Sequence, residues 1–190
     1  MPNKKLIVAI TGASGAIYGI RILEILKDLN IETHLIISKS ALITISSELK
    51  KSVNEIKELA SITYQPSDIA APIASGSFRT DGMIIAPCSI KTLAGIASCF
   101  SDSLITRAAD VILKERRKLV LLLRETPLHV GHIEQMLKVS QMGGIIAPPV
   151  PAFYTNPNSI EEIVNHTVIR SLDLFDLNIE YNNRWKGLKV

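Results

Sequence analysis

A three-layer α/β fold with a mainly parallel sheet is the class this sequence predicts, on three observations. Short β-branched runs alternate with helix-period segments along the chain. The first run opens directly into a glycine-rich turn, Thr11-Gly12-Ala13-Ser14-Gly15, which leads into a helical pattern. The composition, 190 residues with 47% hydrophobic and 21% charged, supplies one buried sheet and contains no low-complexity tract.

Leu6–Ile10 is the first expected strand, Ala16–Leu29 the first helix and Thr33–Ile37 the second strand, together a βαβ unit. Ile62–Asp81, with Pro66, Pro72 and Gly76, reads as a loop-rich connection. Further strands are expected at Met83–Ala86, Leu119–Leu123 and Gly144–Ile146, separated by helices near Ile90–Cys99, Thr106–Glu115 and Val130–Met142. Such continuous apolar strands suit a sheet covered on both faces. Ala147–Pro157 carries four of the nine prolines and is expected to lack regular structure. A last helix, about Ser159 to Leu177, begins at a serine N-cap with Glu161 and Glu162 in its first turn. One domain over residues 1–177 is expected, followed by a polar tail, 178–190, that holds the only tryptophan, Trp185.

Several classes are disfavoured. The longest apolar runs fall far short of the roughly 20 residues that span a bilayer, and the N-terminal apolar run ends too early for a secretory signal, so a cytoplasmic protein without membrane contact is expected. Cys88 and Cys99 form no zinc-ligand spacing and read as buried small hydrophobes. A net charge of +3, with the basic cluster Lys114-Glu115-Arg116-Arg117-Lys118 read as a solvated helix end, gives little support for nucleic acid. His129 and His132 lack a third ligand and are read as capping or surface residues.

In open parallel sheets, ligands bind outside the carboxyl ends of the strands. The glycine turn follows the first expected strand and Ser38-Lys39-Ser40 the second. Pro87-Cys88-Ser89-Ile90-Lys91-Thr92 follows the third and Arg124-Glu125-Thr126-Pro127 the fourth. Each offers hydroxyls, amides near a helix N-terminus, or a guanidinium, groups suited to phosphate. Any one serine could instead be a helix cap; four such segments on one edge point to a nucleotide or phosphate site. The glycines do not form GxGxxG, Ser38 stands where a dinucleotide fold places an acid, and no GxxxxGK[ST] occurs. A mononucleotide with one terminal phosphate remains, with FMN the natural candidate.

These segments, together with Arg107-Ala108-Ala109-Asp110-Val111, Leu113-Lys114-Glu115-Arg116-Arg117 and Pro148-Pro149-Val150-Pro151-Ala152-Phe153-Tyr154, resemble the flavin prenyltransferases of the UbiX type, once described as aromatic-acid decarboxylases. The resemblance runs from about Lys5 to Trp185. It implies a flavodoxin-like (Rossmann-like) fold and synthesis of prenylated FMN. Dimethylallyl phosphate alkylates N5 of reduced FMN, a bond to C6 closes a further ring, and the product serves UbiD-type decarboxylases. It also implies a homo-oligomer, a dodecamer with sites between subunits, and a tail that packs at a subunit interface or the active site.

Carried over by motif, Gly12, Ala13, Ser14, Ser38, Ser89, Ile90, Lys91, Thr92 and Arg124 would contact FMN. Arg107, Lys114, Arg124, Tyr154 and Arg170 would bind the allylic donor, and Ser14, Glu48, Lys114, Glu125 and Trp185 would surround the reacting atoms. The chemistry suits these residue types. Breaking the allylic C–O bond separates a delocalised cation from a departing phosphate, whose charge must be stabilised. Many prenyl transfers use magnesium held by an aspartate-rich cluster; this sequence has none, so no metal is expected and Lys114, Arg124, Arg170 and the Tyr154 hydroxyl form the cationic and donor set. Trp185 or the flavin would offer a π-face to the carbocation. Glu125 would exchange a proton with the leaving phosphate and help remove the C6 proton, and Ser14 would lie near N5.

Individual residues admit other readings: Glu48 as an idle helix-face charge, Arg107 in a local pair with Asp110, and Glu125 in an ion pair with a neighbouring arginine. Cys99-Phe100-Ser101-Asp102-Ser103-Leu104 stands where the family commonly has an asparagine-rich turn, and Ser and Asp are expected to make equivalent caps. Two alternatives share the fold: an FMN-dependent cysteine decarboxylase of the phosphopantothenoylcysteine type and a non-catalytic FMN-binding protein. The first relies on a histidine before the proline loop, yet no histidine lies between His34 and His129. The second would not need Tyr154 and Arg170.

Overall fold

The computed structural model describes residues 4–177, 179–181, 184 and 187. Its centre is a six-stranded, all-parallel sheet formed by β1 (Lys5–Ile10), β2 (Glu32–Ile37), β3 (Ile62–Tyr64), β4 (Gly82–Cys88), β5 (Lys118–Leu123) and β6 (Ile145–Ile146). Their order is β3-β2-β1-β4-β5-β6, so successive strands are added outward on one side of β1 and then, from β4, on the other. That switch point opens a crevice at the carboxyl ends of the two strands.

Period-two alternation divides the strand residues between two cores. Leu6, Val8, Ile10, Ile84, Val120 and Leu122 face α1 (Ala16–Asp28), α2 (Lys39–Glu48), α3 (Val53–Lys57) and α7 (Ile160–Asp173). Ile7, Ala9, Met83, Ile85, Leu119 and Leu121 face α4 (Ile90–Ala97), α5 (Leu104–Lys114) and α6 (Val130–Gln141). The three-layer expectation therefore holds, with the anticipated strands and helices ending within a few residues of their expected bounds.

Four local expectations need correction. The reading of 62–81 as loop missed β3, an edge strand, and neither α2 nor α3 was given bounds, although Glu48 was read as a possible helix-face residue. Within the proline-rich 147–157 stretch, Phe153–Thr155 forms one 3-10 turn. Cys88 is buried, its thiol pKa raised by desolvation, but Cys99 is exposed: it takes φ 55° just after α4, where the chain leaves the helix. Arg117 is no solvated helix end, because its guanidinium donates to the carbonyls of Gly76 and Phe78 at 2.7 and 2.9 Å.

The asparagine-poor turn before α5 is capped as expected. Ser103 accepts from the Thr106 N–H, and the Thr106 hydroxyl accepts from the Ser103 N–H. His129 caps α6, its Nδ1 accepting from the Gly131 N–H at 3.1 Å. The described part of the tail folds back on its own chain: Arg184 makes a two-pronged pair with Asp173 at 2.7 and 2.8 Å, and Ile179 and Tyr181 pack against the α1/α7 core. Trp185 lies outside the described residues. Among the described residues, no helix is long and apolar enough to cross a membrane.

Candidate active site

The crevice is built from the ends of β1 and β4. Thr11, 1% exposed, closes β1 with a hydroxyl that donates to the Pro87 carbonyl at 2.7 Å and accepts from the Ser89 N–H at 2.8 Å. One side chain thus ties the glycine turn to the loop after β4. Gly15 then takes φ 101°, a left-handed conformation that starts α1 without the steric penalty a Cβ would meet. Gly19, one turn on, lets α1 lie against β4: a Cβ there would stand 2.3 Å from the Ala86 carbonyl oxygen.

The α1 N-terminus needs an acceptor for its unpaired amides. Glu48, the last residue of α2, supplies it, taking the Gly15 and Ala16 N–H groups at 2.9 and 3.1 Å. Burial pushes the Glu48 carboxyl pKa up, but hydrogen bonds from Ser14, Gly15 and Ala16 and the nearby Arg124 charge outweigh it and hold the group below the usual carboxylate range. Glu48 is therefore no idle surface charge. Arg124, the residue after β5, is anchored by its N–H to the Cys88 carbonyl at 3.0 Å. It faces a cleft of about 390 Å³ lined also by Ser14, Tyr18, Glu48, Pro149 and Ile160. Tyr18 was missed in the sequence; its place three residues beyond the left-handed Gly15 is the signal that could have found it. Burial raises its phenol pKa, and Arg124 partly opposes that shift.

Gly12, in the same turn, lines a second and larger cleft of about 760 Å³, with Ser38, Lys39, Ser89, Lys91 and Thr92. Ser38 and Ser89 are N-caps, accepting from the Ala41 and Thr92 N–H groups. The capping reading and the ligand reading coincide, since both helices begin at the cleft wall. Two helix N-termini, two lysines and several hydroxyls make a wall suited to an anion, and the volume suits a mononucleotide. The residues present thus fit FMN. Ala13 lies between Gly12 and Ser14 in the turn, and Ile90, the first residue of α4, packs partly against the core.

The remaining expected residues are not gathered with these in one chain. Glu125 is exposed and accepts from the Thr126 N–H. Arg107 pairs with Asp110 at 3.0 Å and donates to the Ala74 carbonyl, the local account weighed from sequence. Lys114 pairs with Glu115 at the end of α5, four residues before β5 begins, and so near the amino ends of the strands. Arg170 lines a third hollow, of about 240 Å³, and Tyr154 reaches it only through His166: Pro149 faces the Arg124 cleft, whereas Pro148, Val150, His166 and Arg170 line the hollow. The Tyr154 hydroxyl lies 3.1 Å from His166 Nε2. Among the described residues, no three His, Cys, Asp or Glu side chains gather as a metal-binding group.

With this geometry established, comparison with known proteins identifies the family. The family model described as Flavoprotein matches residues 1–171. The flavin prenyltransferase UbiX of Escherichia coli strain K12 is 54% identical over 187 residues, covering 97% of this chain and 99% of that protein. The chain belongs to the UbiX-type flavin prenyltransferases. A crystal structure of AnUbiX in complex with FMN and dimethylallyl pyrophosphate superposes with a TM-score of 0.95 at 50% identity, covering 98% of this chain and 100% of that one. A dodecameric FMN-dependent UbiX-like decarboxylase from Escherichia coli O157:H7 superposes with a TM-score of 0.94 at 52% identity, covering 96% and 100%. The parallel sheet shares its flavodoxin-like architecture with both structures, in agreement with the sequence expectation.

Proposed function

We propose that the protein transfers the dimethylallyl group of dimethylallyl phosphate to reduced FMN, forming prenylated FMN for a UbiD-type decarboxylase in the cytoplasm. The observation that carries this reading is the meeting of Ser14, Glu48 and Arg124 in one cleft, beside a phosphate-suited wall at the start of α2 and α4. When bound, reduced FMN supplies the nucleophilic N5 and C6. Ser38, Ser89, Lys91 and Thr92, at the starts of α2 and α4, would hold its phosphate. Glu48 fixes the Ser14–Ala16 backbone, so that the Ser14 hydroxyl is presented to the cleft in one orientation.

Departure of the allylic phosphate requires positive charge placed in advance. Arg124 lies in the cleft; Lys114, Tyr154 and Arg170 do not. We infer that neighbouring copies in a homododecamer complete the set. The exposed apolar residues Val130, Ile133, Leu137, Val150, Phe153 and Ile160 support such association. Glu125, beside Arg124, is the candidate for returning a proton to the phosphate and removing the C6 proton. These side chains act without a metal in this scheme.

Anaerobic incubation of the purified protein with reduced FMN and dimethylallyl phosphate, without added metal, followed by mass spectrometry of the extracted flavin, tests the reading. A gain of one dimethylallyl unit is expected. Unmodified flavin on a protein shown to bind FMN would remove it.

A further inference from the structure

The hollow behind the proline segment contains a side chain that no motif singled out. His166, on α7, is 7% exposed, with its ring edge-on to Tyr154 at 5.6 Å and tilted against Tyr181 at 6.0 Å. Its Nε2 lies 3.1 Å from the Tyr154 hydroxyl, and Arg170 follows one helical turn later on the same wall. Thr167 Oγ1, in the same lining, is buried without a hydrogen-bond partner among the described residues. A hollow lined by an arginine, an unsatisfied hydroxyl and a histidine whose Nε2 meets the Tyr154 hydroxyl is equipped to receive a polar ligand.

We propose that His166 is a positioning residue for the allylic donor, setting the direction in which the Tyr154 hydroxyl donates. This rests on the reading of Tyr154 and Arg170 as ligands of the dimethylallyl phosphate. A phenol has one proton to give. If Nε2 is unprotonated, that proton is committed to the imidazole and the hydroxyl can only accept. If Nε2 carries a proton, in the other neutral tautomer or in the cation, the imidazole donates to the phenol oxygen and frees the phenol proton for a phosphate oxygen.

The groups facing His166 decide how readily that state forms. From α7 these are Arg170 and, through Arg184, Asp173; from the tail, Arg184 and Tyr181; from the 3-10 turn, Tyr154. Apart from Tyr154, the proline segment offers no titratable side chain. Burial first, then the charges of Arg170 and Arg184, push the imidazole pKa down, so the free site holds it neutral at pH 7. A phosphate seated on Arg170 opposes those charges and favours the Nε2 proton. Donor binding and the hydroxyl's direction are thereby coupled.

Calorimetric binding of dimethylallyl phosphate to the protein loaded with oxidised FMN, which cannot turn over, tests the coupling across about pH 5.5–8. His166→Ala is expected to weaken donor binding roughly tenfold with FMN affinity unchanged, the scale of one charge-assisted hydrogen bond. In a Tyr154→Phe background the same change should have no further effect. His166→Gln, which keeps an N–H for the hydroxyl, should recover part of the affinity but lose the pH dependence that the wild type shows beyond the donor's own titration, which is common to both proteins. An equal loss from His166→Ala with and without the Tyr154 hydroxyl, or an unchanged pH profile in His166→Gln, would overturn the inference. A wild type that binds no donor at any pH would remove the underlying prenyl-donor reading instead, and this one with it.

Discussion

Glu48 shows how one side chain joins fold to chemistry. Its carboxylate satisfies the first amides of α1, so Glu48→Ala strips an N-terminal cap from the helix that carries Ser14 at its threshold. A loss of about 1 kcal/mol is the usual scale for a cap, equivalent to a fall in melting temperature of roughly 2–4 °C for a chain of this size, readable by calorimetry. Prenyl transfer should fall by much more than that stability change explains, because the Ser14 hydroxyl loses its fixed direction. Glu125 makes a contrasting case: it is exposed and bonded only to its neighbour's amide among the described contacts. Glu125→Gln is expected to leave FMN binding and the melting temperature unchanged while slowing or stalling turnover in single-turnover flavin assays. An unchanged rate would remove Glu125 from the mechanism.

At the scale of elements, α1 packs closely against β4. Gly19→Ala would gain up to ~1 kcal/mol of helix propensity, yet its Cβ would stand 2.3 Å from the Ala86 carbonyl oxygen and 2.8 Å from Ile10. Overpacking of that kind costs about 1–3 kcal/mol, so the steric term wins and the urea midpoint should fall. The strong elements were legible in the sequence because their apolar residues repeat at the strand or helix period. α2 was only hinted at by Glu48: its stretch contains β-branched Ile43, Thr44 and Ile45, only Ala41 and Ile45 are buried, and Ser38-Lys39-Ser40 at its start also suits a strand-end binding loop. β3 escaped notice because three residues at a sheet edge carry no period of their own. The site was legible in part for a related reason. Residues contiguous with a strand end, such as Ser14, Ser38, Ser89 and Arg124, were placed by topology, whereas Glu48 and His166 act through partners 32 and 12 residues away, a separation that no local pattern records.

Across the whole molecule, two consequences are measurable. His34 is fully buried between Glu32 and Tyr64, at 3.0 Å from each, and burial lowers its pKa although Glu32 opposes the shift. The unfolded chain, with an ordinary value near ~6.5, therefore binds a proton that the folded chain refuses. Stability from this site is complete above about pH 6.5 and is lost as pH falls below it. His166 acts in the same sense. Urea midpoints between about pH 7.5 and 5 should decline, and His34→Gln should flatten part of that decline; an identical slope would exclude His34 as its source. The second consequence concerns assembly, since Lys114 lies toward the opposite edge of the sheet from Arg124. Lys114→Ala and Arg124→Ala proteins, each expected to be at least tenfold slower alone, should regain activity when unfolded together and reassembled as mixed oligomers, because some sites then receive an intact residue from each copy. Activity no higher than that of the separate variants would mean that both residues serve within one chain.

The Thr11 hydroxyl, wedged between Pro87 and Ser89, also has a mechanical meaning. It ties the two sides of the switch point together: a shift of the glycine turn would pull on the start of α4 through two short hydrogen bonds. A molecule arriving in one cleft would therefore be felt in the other as a displacement of shared scaffolding, and the order in which two ligands load would leave a mechanical trace in the protein.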